Sequence, residues 1–250
     1  MTDPTLLALT CLIFVLAGLV KGVVGFGLPS LSLALLAVVI GLEQAMTLIL
    51  LPSFVTNIWQ ATSGGHFTDV VKRTWSFLGA AALTVWFGSV ALTRLPEGAA
   101  DLLLGCLLIT YVLPGLSGWV LSVPAKHERQ VGLLAGLING VLTGLTGSFA
   151  VPGVFYLQSI GLTRDQLVQA MGLLFLVSTM ALAVSLSGNG LLAGNLAGLS
   201  AIMTGPALVG VWIGQRIRKQ LSEHAFRKLV LAVLLMLGGY LIVLGAVVMF

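Results

Sequence analysis

Charged residues are scarce in this chain. Lys, Arg, Asp and Glu together make up 8% of the 250 residues, whereas 58% are hydrophobic. Soluble domains carry about 25% charged residues, and so few charges cannot cover the surface of a soluble globule of this length. The composition therefore excludes a soluble enzyme, a disordered linker and a DNA-binding domain. It predicts a protein that lies in a lipid bilayer.

The residues of several catalytic and metal sites are also missing. The two cysteines, Cys11 and Cys106, stand alone in apolar stretches, so they predict neither a disulfide nor a metal framework. No Gly-rich loop ends in Gly-Lys-Ser/Thr, which excludes an ATPase site of that kind. Residues 115–118 resemble the serine motif of rhomboid-type intramembrane proteases, but such an enzyme needs a histidine within the membrane. The three histidines are too dispersed for a zinc site and fall in predicted loops: His66, His127 and His224. We therefore expect no enzyme, no metal and no cofactor.

Long apolar runs are what the chain has in abundance. A helix needs about 20 apolar residues to cross the hydrocarbon layer. Runs of this kind lie at residues 5–24, 44–62, 75–92, 99–119, 131–145, 167–187, 191–214 and 227–250. Two shorter runs, at 27–41 and 149–161, each follow a Gly-rich stretch and predict re-entrant or half-spanning helices. The predicted fold class is all-α, with about eight long helices and two short ones; the runs lack the alternation of barrel strands.

Basic residues assign the two sides of the membrane. The loop before residue 75, the central loop and the loop before the last segment carry most of the Lys and Arg residues and fall on one side. The positive-inside rule places that side in the cytoplasm, so both termini are predicted outside. The start of the chain, residues 1–4, has no basic residue. We therefore expect the first segment to remain in the mature protein.

The two halves of the sequence align with each other. Gly79 and Gly88 match Gly205 and Gly214 at a shift of 126, and residues 17–23 match 135–141 at a shift of 118. This indicates two repeats, residues 1–120 and 131–250, joined by a cytoplasmic linker at 121–130. Because one repeat begins outside and the other inside, they are predicted to be inverted. Inverted repeats whose broken helices meet near the membrane centre are typical of secondary transporters.

The two Gly-rich stretches supply most of the predicted substrate site. A helix that is interrupted inside the membrane leaves free N–H groups and a positive dipole end, for which an anion is a natural partner. The predicted lining residues are Gly25, Phe26, Gly27 and Pro29 in the first half and Thr143, Thr146, Gly147, Ser148, Phe149 and Pro152 in the second. The alternative is that these glycines only permit close helix packing.

Lys21 is the one charged residue inside an apolar run, directly before the first Gly-rich stretch. A buried ammonium is expensive and usually functional; the alternative is that its stem snorkels to the headgroups. Its repeat partner is Asn139, so the predicted pocket holds a single cation and favours a substrate of low negative charge. Asn57, with Pro52 and Ser53, is expected to interrupt the segment at 44–62 and is a further binding candidate, with helix–helix hydrogen bonding as the alternative.

The pattern from Ala17 to Pro29, repeated loosely from Ala135 to Pro152, resembles the sulfite exporter TauE/SafE family, also called the toluene-sulfonate uptake permease family. The resemblance extends over essentially the whole chain. It implies a transporter in the bacterial cytoplasmic (inner) membrane for sulfite or for sulfonates such as sulfoacetate and aryl sulfonates. The chain departs from the fuller Gly-Gly-Gly form at Leu28 and at residues 148–150.

The residue patterns predict a secondary anion transporter that alternates access around a central site, with a passive anion channel as the alternative. The resemblance implies that its substrates are small sulfur-containing anions. An anion uniporter would export, because outward movement through an inside-negative potential gains about 2.3 kcal/mol per 100 mV. Uptake would require a coupling ion, either a proton or sodium. The predicted partners are a small organic or inorganic anion and membrane lipid, without nucleic acid; a homodimer stays open.

Overall fold

The computed structural model of the protein describes residues 3–118, 121–218, 220 and 222–249. Within these residues the chain forms ten α-helices and a single 3₁₀ turn at Ala125–His127, without any strand. The predicted all-α class is therefore confirmed. The helices are α1 (Pro4–Val24), α2 (Leu28–Ile40), α3 (Leu42–Thr62), α4 (Phe67–Leu92), α5 (Ala99–Ser117), α6 (Glu128–Thr146), α7 (Gly153–Ser159), α8 (Arg164–Gly188), α9 (Gly194–Ile217) and α10 (Glu223–Met249).

The helices follow the apolar segments but extend beyond them at polar ends. The helix expected at 75–92 begins at Phe67, so Lys72 and Arg73 lie in the first turns of α4 and not in a loop. The two short helices are α2, with 13 residues, and α7, with 7. Residue 119 of the segment predicted at 99–119 and residue 250 of the segment at 227–250 lie outside the described residues.

The expectation that Pro52 interrupts its segment is wrong, because α3 is continuous from Leu42 to Thr62. A proline lacks the N–H that the carbonyl four residues earlier would accept. That carbonyl, of Leu48, instead accepts a hydrogen bond of 2.9 Å from the Ser200 hydroxyl of α9. A serine from a neighbouring helix thus replaces the missing backbone donor, as is common for proline inside membrane helices.

Six of the described helices are long and apolar enough to cross a membrane: α1, α4, α5, α8, α9 and α10. With the all-helical fold they indicate a multi-pass membrane protein. That α3 and α6 also cross the membrane stays a prediction.

The helices pack as two groups of four and one pair. We call α1, α2, α3 and α9 group one, and α4, α6, α7 and α8 group two. The remaining helices, α5 and α10, pack against each other. The two groups meet along α3 and α8. Group one therefore contains a helix from the second half of the chain, α9, and group two contains a helix from the first half, α4.

Glycines allow the closest helix contacts in both groups. A methyl group on Gly22 of α1 would lie 2.3 Å from the Val211 carbonyl oxygen of α9. A methyl group on Gly140 of α6 would lie 2.1 Å from the Ala81 carbonyl oxygen of α4. Only glycine permits such a backbone approach. Gly22 and Gly140 are matched positions of the predicted repeat, so equivalent glycines make equivalent contacts.

Basic residues concentrate at one end of the helix bundle. At one end, Arg73 of α4 binds Glu128 of α6 at 2.6 Å and 2.9 Å, and the backbone N–H of His66 donates to Gln169 of α8. Helices α3, α5 and α9 end here, and α4, α6, α8 and α10 begin here. We call this the basic end, because most of the Lys and Arg residues lie in these helix ends and the loops between them. At the opposite end, three carboxylates line a cavity of about 410 Å³: Glu43, Glu97 and Asp101.

Candidate functional site

The first predicted break lies between α1 and α2. Gly25 ends α1 with φ +90°, and its N–H donates to the Lys21 carbonyl at 2.8 Å. Gly27 precedes α2 with φ +106°, and Pro29 lies in the first turn of α2. These left-handed conformations suit glycine, because it has no Cβ, and proline suits a first turn, where its missing N–H costs nothing. The glycines here turn the chain, whereas Gly22 serves helix packing.

The second break lies between α6 and α7. Gly147 ends α6 with φ +72°, and α7 begins at Gly153. The hydroxyl of Thr143 donates to the Ser148 carbonyl at 3.0 Å, and the Ser148 N–H donates to the Thr146 hydroxyl at 3.2 Å. In this conformation, therefore, the side chains of Thr143 and Thr146 hydrogen-bond to the backbone of the second break and stabilise its shape.

Asn139 occupies the position in the second half that Lys21 occupies in the first. Its side-chain oxygen accepts the N–H of Gly153, the first residue of α7, at 2.9 Å. Its amide nitrogen is buried and has no partner among the described residues. An asparagine oxygen thus accepts one of the N–H groups at the α7 N-terminus for which an anion is the predicted partner.

Lys21 lies in the last turn of α1 and is turned inward. Only 6% of the residue is exposed. The ammonium donates to the Thr56 hydroxyl at 3.1 Å and to the side-chain oxygen of Asn57, both on α3. No carboxylate of the described residues pairs with it. The amine therefore does not reach out along the helix surface toward headgroups, which was the alternative for this residue.

A cavity of about 180 Å³ adjoins Lys21 and extends toward the basic end. Its walls include Gly25, Val168 and Val211. Its polar lining consists of Lys21, Thr56, Gln60, Ser63, Gln215 and Arg218. None of the described residues that line the cavity is a carboxylate. A site with cationic and neutral donors and without acidic groups is suited to hold an anion.

Two buried serines mark the contact between the groups of helices. The Gln60 amide on α3 donates to the Val168 carbonyl of α8 at 2.9 Å, and Gln169 on α8 donates to the Ala61 carbonyl of α3 at 2.8 Å. This antiparallel register places Ser53 of α3 level with Ser178 of α8. Both serines are fully buried, and neither hydroxyl has a hydrogen-bond partner among the described residues. Buried hydroxyls are rarely unpaired. The contact between α3 and α8 therefore contains two polar groups whose hydrogen-bonding capacity is unused.

Twelve of the thirteen predicted site residues fall into three sets, and the thirteenth, Pro29, is buried in the first turn of α2. Lys21, Asn57 and Gly25 come together at or beside the cavity. Phe26 and Gly27 instead line a narrow crevice of about 20 Å³, together with Tyr111 and Arg227. The third set belongs to the second break, at a distance in the chain from the Lys21 cavity: Asn139, Thr143, Thr146, Gly147, Ser148, Phe149 and Pro152.

Sequence reasoning did not single out Thr56, Gln60 or Gln215. Thr56 lies next to Asn57 and one helical turn from Pro52, and its hydroxyl donates to the Pro52 carbonyl at 2.8 Å. A search for hydroxyls four residues after a proline in an apolar segment would have found it. Gln215 comes from the second half of the chain, and only the packing of α9 on α1 brings it to the cavity.

A protein-family model matches most of the chain. No curated protein and no solved structure matches the chain. The family model of the sulfite exporter TauE/SafE matches residues 10–241. That range contains Lys21, both helix breaks and all residues named at the cavity, and the chain belongs to the sulfite exporter TauE/SafE family.

Proposed function

We propose that the protein is a secondary transporter of small sulfur-containing anions, sulfite or sulfonates such as sulfoacetate or an aryl sulfonate, in the bacterial cytoplasmic membrane. The family supports a membrane transporter of sulfur anions, and the six apolar helices support a multi-pass membrane protein. One observation carries the proposal: the ammonium of Lys21 is buried without a described carboxylate partner beside a cavity.

The hydrogen bonds of Lys21 leave room for an anion. A lysine ammonium has three N–H donors, and Thr56 and Asn57 accept two of them. Both acceptors are neutral, so the positive charge is not balanced by either. Burial of a charge costs several kcal/mol after relaxation. An anion in the cavity would accept the third N–H and offset that cost.

The lining favours a small oxyanion of low charge. The cavity of about 180 Å³ exceeds the share of one water molecule, about 30 Å³, so it accommodates a sulfite or a sulfonate group. Gln215 and Ser63 provide neutral donors on the walls. Trp59 also lines the cavity and offers an apolar surface to the organic part of a sulfonate.

Inverted repeats give this site a route for alternating access. We infer that residues 1–120 and 131–250 are inverted halves joined by a linker at 121–130, with the basic end and the linker in the cytoplasm and both termini outside. The reciprocal packing supports this, because α1 packs on α9 as α6 packs on α4. The breaks are reciprocal as well: Gly25 lies against Val168 of the other half, and Gly147 lies against Leu33 and Met46. The cavity extends toward the basic end, which corresponds to an inward-facing state.

The direction of transport follows from charge if the protein carries the anion alone. An inside-negative potential then drives export, by about 2.3 kcal/mol per 100 mV for each negative charge. Uptake would require a proton or sodium ion to move with the anion.

Counterflow in proteoliposomes tests the proposal. We expect labelled sulfoacetate or toluenesulfonate to enter vesicles faster when the same unlabelled anion is inside, with a flux that saturates. Lys21→Met should abolish this flux, whereas Lys72→Met, which removes an exposed lysine at the basic end, should not. Flux that neither saturates nor responds to the internal anion would identify a passive channel and contradict the proposal.

A further inference from the structure

A second cavity lies between the end of α5, the short helix α7 and the start of α10. Its volume is about 300 Å³, and it shares no lining residue with the cavity at Lys21. Three basic residues of α10 line it: His224, Arg227 and Lys228. Their spacing of three and four residues places them on one face of the helix. His224, which the sequence had placed in a loop, lies in the first turn of α10.

Arg227 is the half-buried member of this cluster, whereas His224 and Lys228 are exposed. Its Nε atom is inaccessible and has no hydrogen-bond partner among the described residues. The side chain also lines the crevice that contains Gly27 and Ser30, so it reaches from the cavity toward the first helix break. A guanidinium N–H that is buried without an acceptor is costly. The cavity is therefore lined by a cationic side chain whose Nε–H has no acceptor among the described residues.

The other lining residues suit a phosphate with an organic part. Gln158 adds a neutral polar group, and the rings of Tyr111 and Phe155 stack at 6.1 Å to form an apolar wall. No carboxylate occurs among the described residues that line the cavity. Leu113 and Leu116 on α5 and Leu229 on α10 are exposed on the same two helices. They provide apolar surface on the two helices that line the cavity, as a lipid tail requires.

We propose that this cavity binds a phosphate group, with Arg227 as its inner ligand and Lys228 and His224 at its mouth. A guanidinium donates two parallel hydrogen bonds to phosphate oxygens, and basic pockets between membrane helices are typical sites for anionic headgroups. The phosphate belongs either to an anionic phospholipid or to a soluble ion. This site is separate from Lys21 and does not depend on the transported anion.

Two measurements on the purified full-length protein distinguish the two sources. Native mass spectrometry after reconstitution with phosphatidylglycerol measures retained lipid, with phosphatidylcholine as the neutral reference. Thermal unfolding in lipid-free detergent, with added inorganic phosphate, measures the soluble ion. We expect Arg227→Gln to weaken phosphate or phosphatidylglycerol binding about tenfold or more. Lys228→Gln, at an exposed residue, should weaken it less and provides a test if Arg227→Gln does not fold.

Matched controls lie at the same end of the bundle. Arg129→Gln and Lys126→Gln remove the same charges from exposed residues outside the cavity and should change neither measurement. If Arg227→Gln loses retained phosphatidylglycerol, the result supports the site and assigns it to lipid. If Arg227→Gln loses the stabilisation by inorganic phosphate, the result supports the site and assigns it to the soluble ion. The proposal is overturned if neither ligand distinguishes Arg227→Gln and Lys228→Gln from their controls. It is also overturned if sulfoacetate or toluenesulfonate, added in place of phosphate to the same thermal measurement, stabilises the protein through Arg227 while phosphate does not, because the cavity would then belong to the transport route.

Discussion

Replacement of Lys21 by methionine should separate a binding role from a structural one. Methionine has a similar length but no charge, so Lys21→Met removes the donor and leaves most of the packing. Lys21 has no described ionic partner, and the cost of burying its charge is several kcal/mol. Against this, Asn57 loses the donor of its side-chain oxygen, which costs about 1–3 kcal/mol. We therefore expect the unliganded variant to be at least as stable as the wild type.

The effect on anion binding should be large. A hydrogen bond to a charged group contributes about 1.5–3 kcal/mol, which corresponds to about a 10- to 150-fold change in affinity. At a ligand concentration 100 times Kd, the wild type gains about 2.7 kcal/mol of stability. If the affinity falls 100-fold, the same concentration gives only about 0.4 kcal/mol.

Thermal unfolding of the detergent-purified protein measures both quantities. The series should include sulfite, sulfoacetate, toluenesulfonate, a carboxylate and phosphate, each at constant ionic strength. Lys72→Met is the control for net charge. We expect the sulfur anions to raise the wild-type Tm and to have little effect on Lys21→Met. If Lys21→Met unfolds at a clearly lower temperature but responds to anions as the wild type does, Lys21 is structural and the anion site at the cavity does not exist.

Three further substitutions test the site and the packing by thermal unfolding. Asn57→Asp places a carboxylate within hydrogen-bond distance of the Lys21 ammonium, so added anions must compete with this carboxylate. We expect the stabilising effect of the anions to vanish. An unchanged response would contradict the proposed geometry. Gly140→Ala should destabilise the protein by about 1–3 kcal/mol through overpacking. The control Gly79→Ala has no atom within 4 Å of the new methyl group, so it should be neutral or stabilise the protein by up to about 1 kcal/mol. Equal effects of the two substitutions would refute the close contact of α4 and α6. Gly147 has a positive φ, and a methyl group on it would also lie 2.7 Å from Met46. Gly147→Ala should therefore lower Tm more than Gly118→Ala, where φ is positive but no atom lies within 4 Å of the new methyl group. The reverse order would contradict the packing at the second break.

The helices and their breaks could be predicted from local sequence. Continuous apolar runs locate the long helices because the hydrocarbon layer sets their length. Glycines followed by Pro29 and by Pro152 located the two breaks, because these residues favour turns and first helical turns. The special position of Lys21 was also evident, since a charge inside an apolar run is rare.

The partners of these elements could not be predicted. Lys21 bonds to residues more than 30 positions away in the chain, and nothing in the apolar sequence of α1 indicates that α3 is its neighbour. Membrane helices associate through small residues that occur on most of the segments, so the pattern did not show that α9 packs on α1. The roles of Thr143 and Thr146 depend on short-range loop geometry, which decides whether a hydroxyl faces a ligand or the backbone.

The exchange of α4 and α9 between the halves has a consequence for how the protein could move. Group one and group two each contain helices from both halves of the chain, so a movement of one group against the other would not be a movement of one half against the other. The chain passes between the groups at residues 63–66 and 189–193, where Gly65 and Gly190 have φ of +75° and +70°. A movement of one group against the other would have to change the backbone at these two crossings. A gene divided at the central linker would yield two fragments, and neither would contain all four helices of either group.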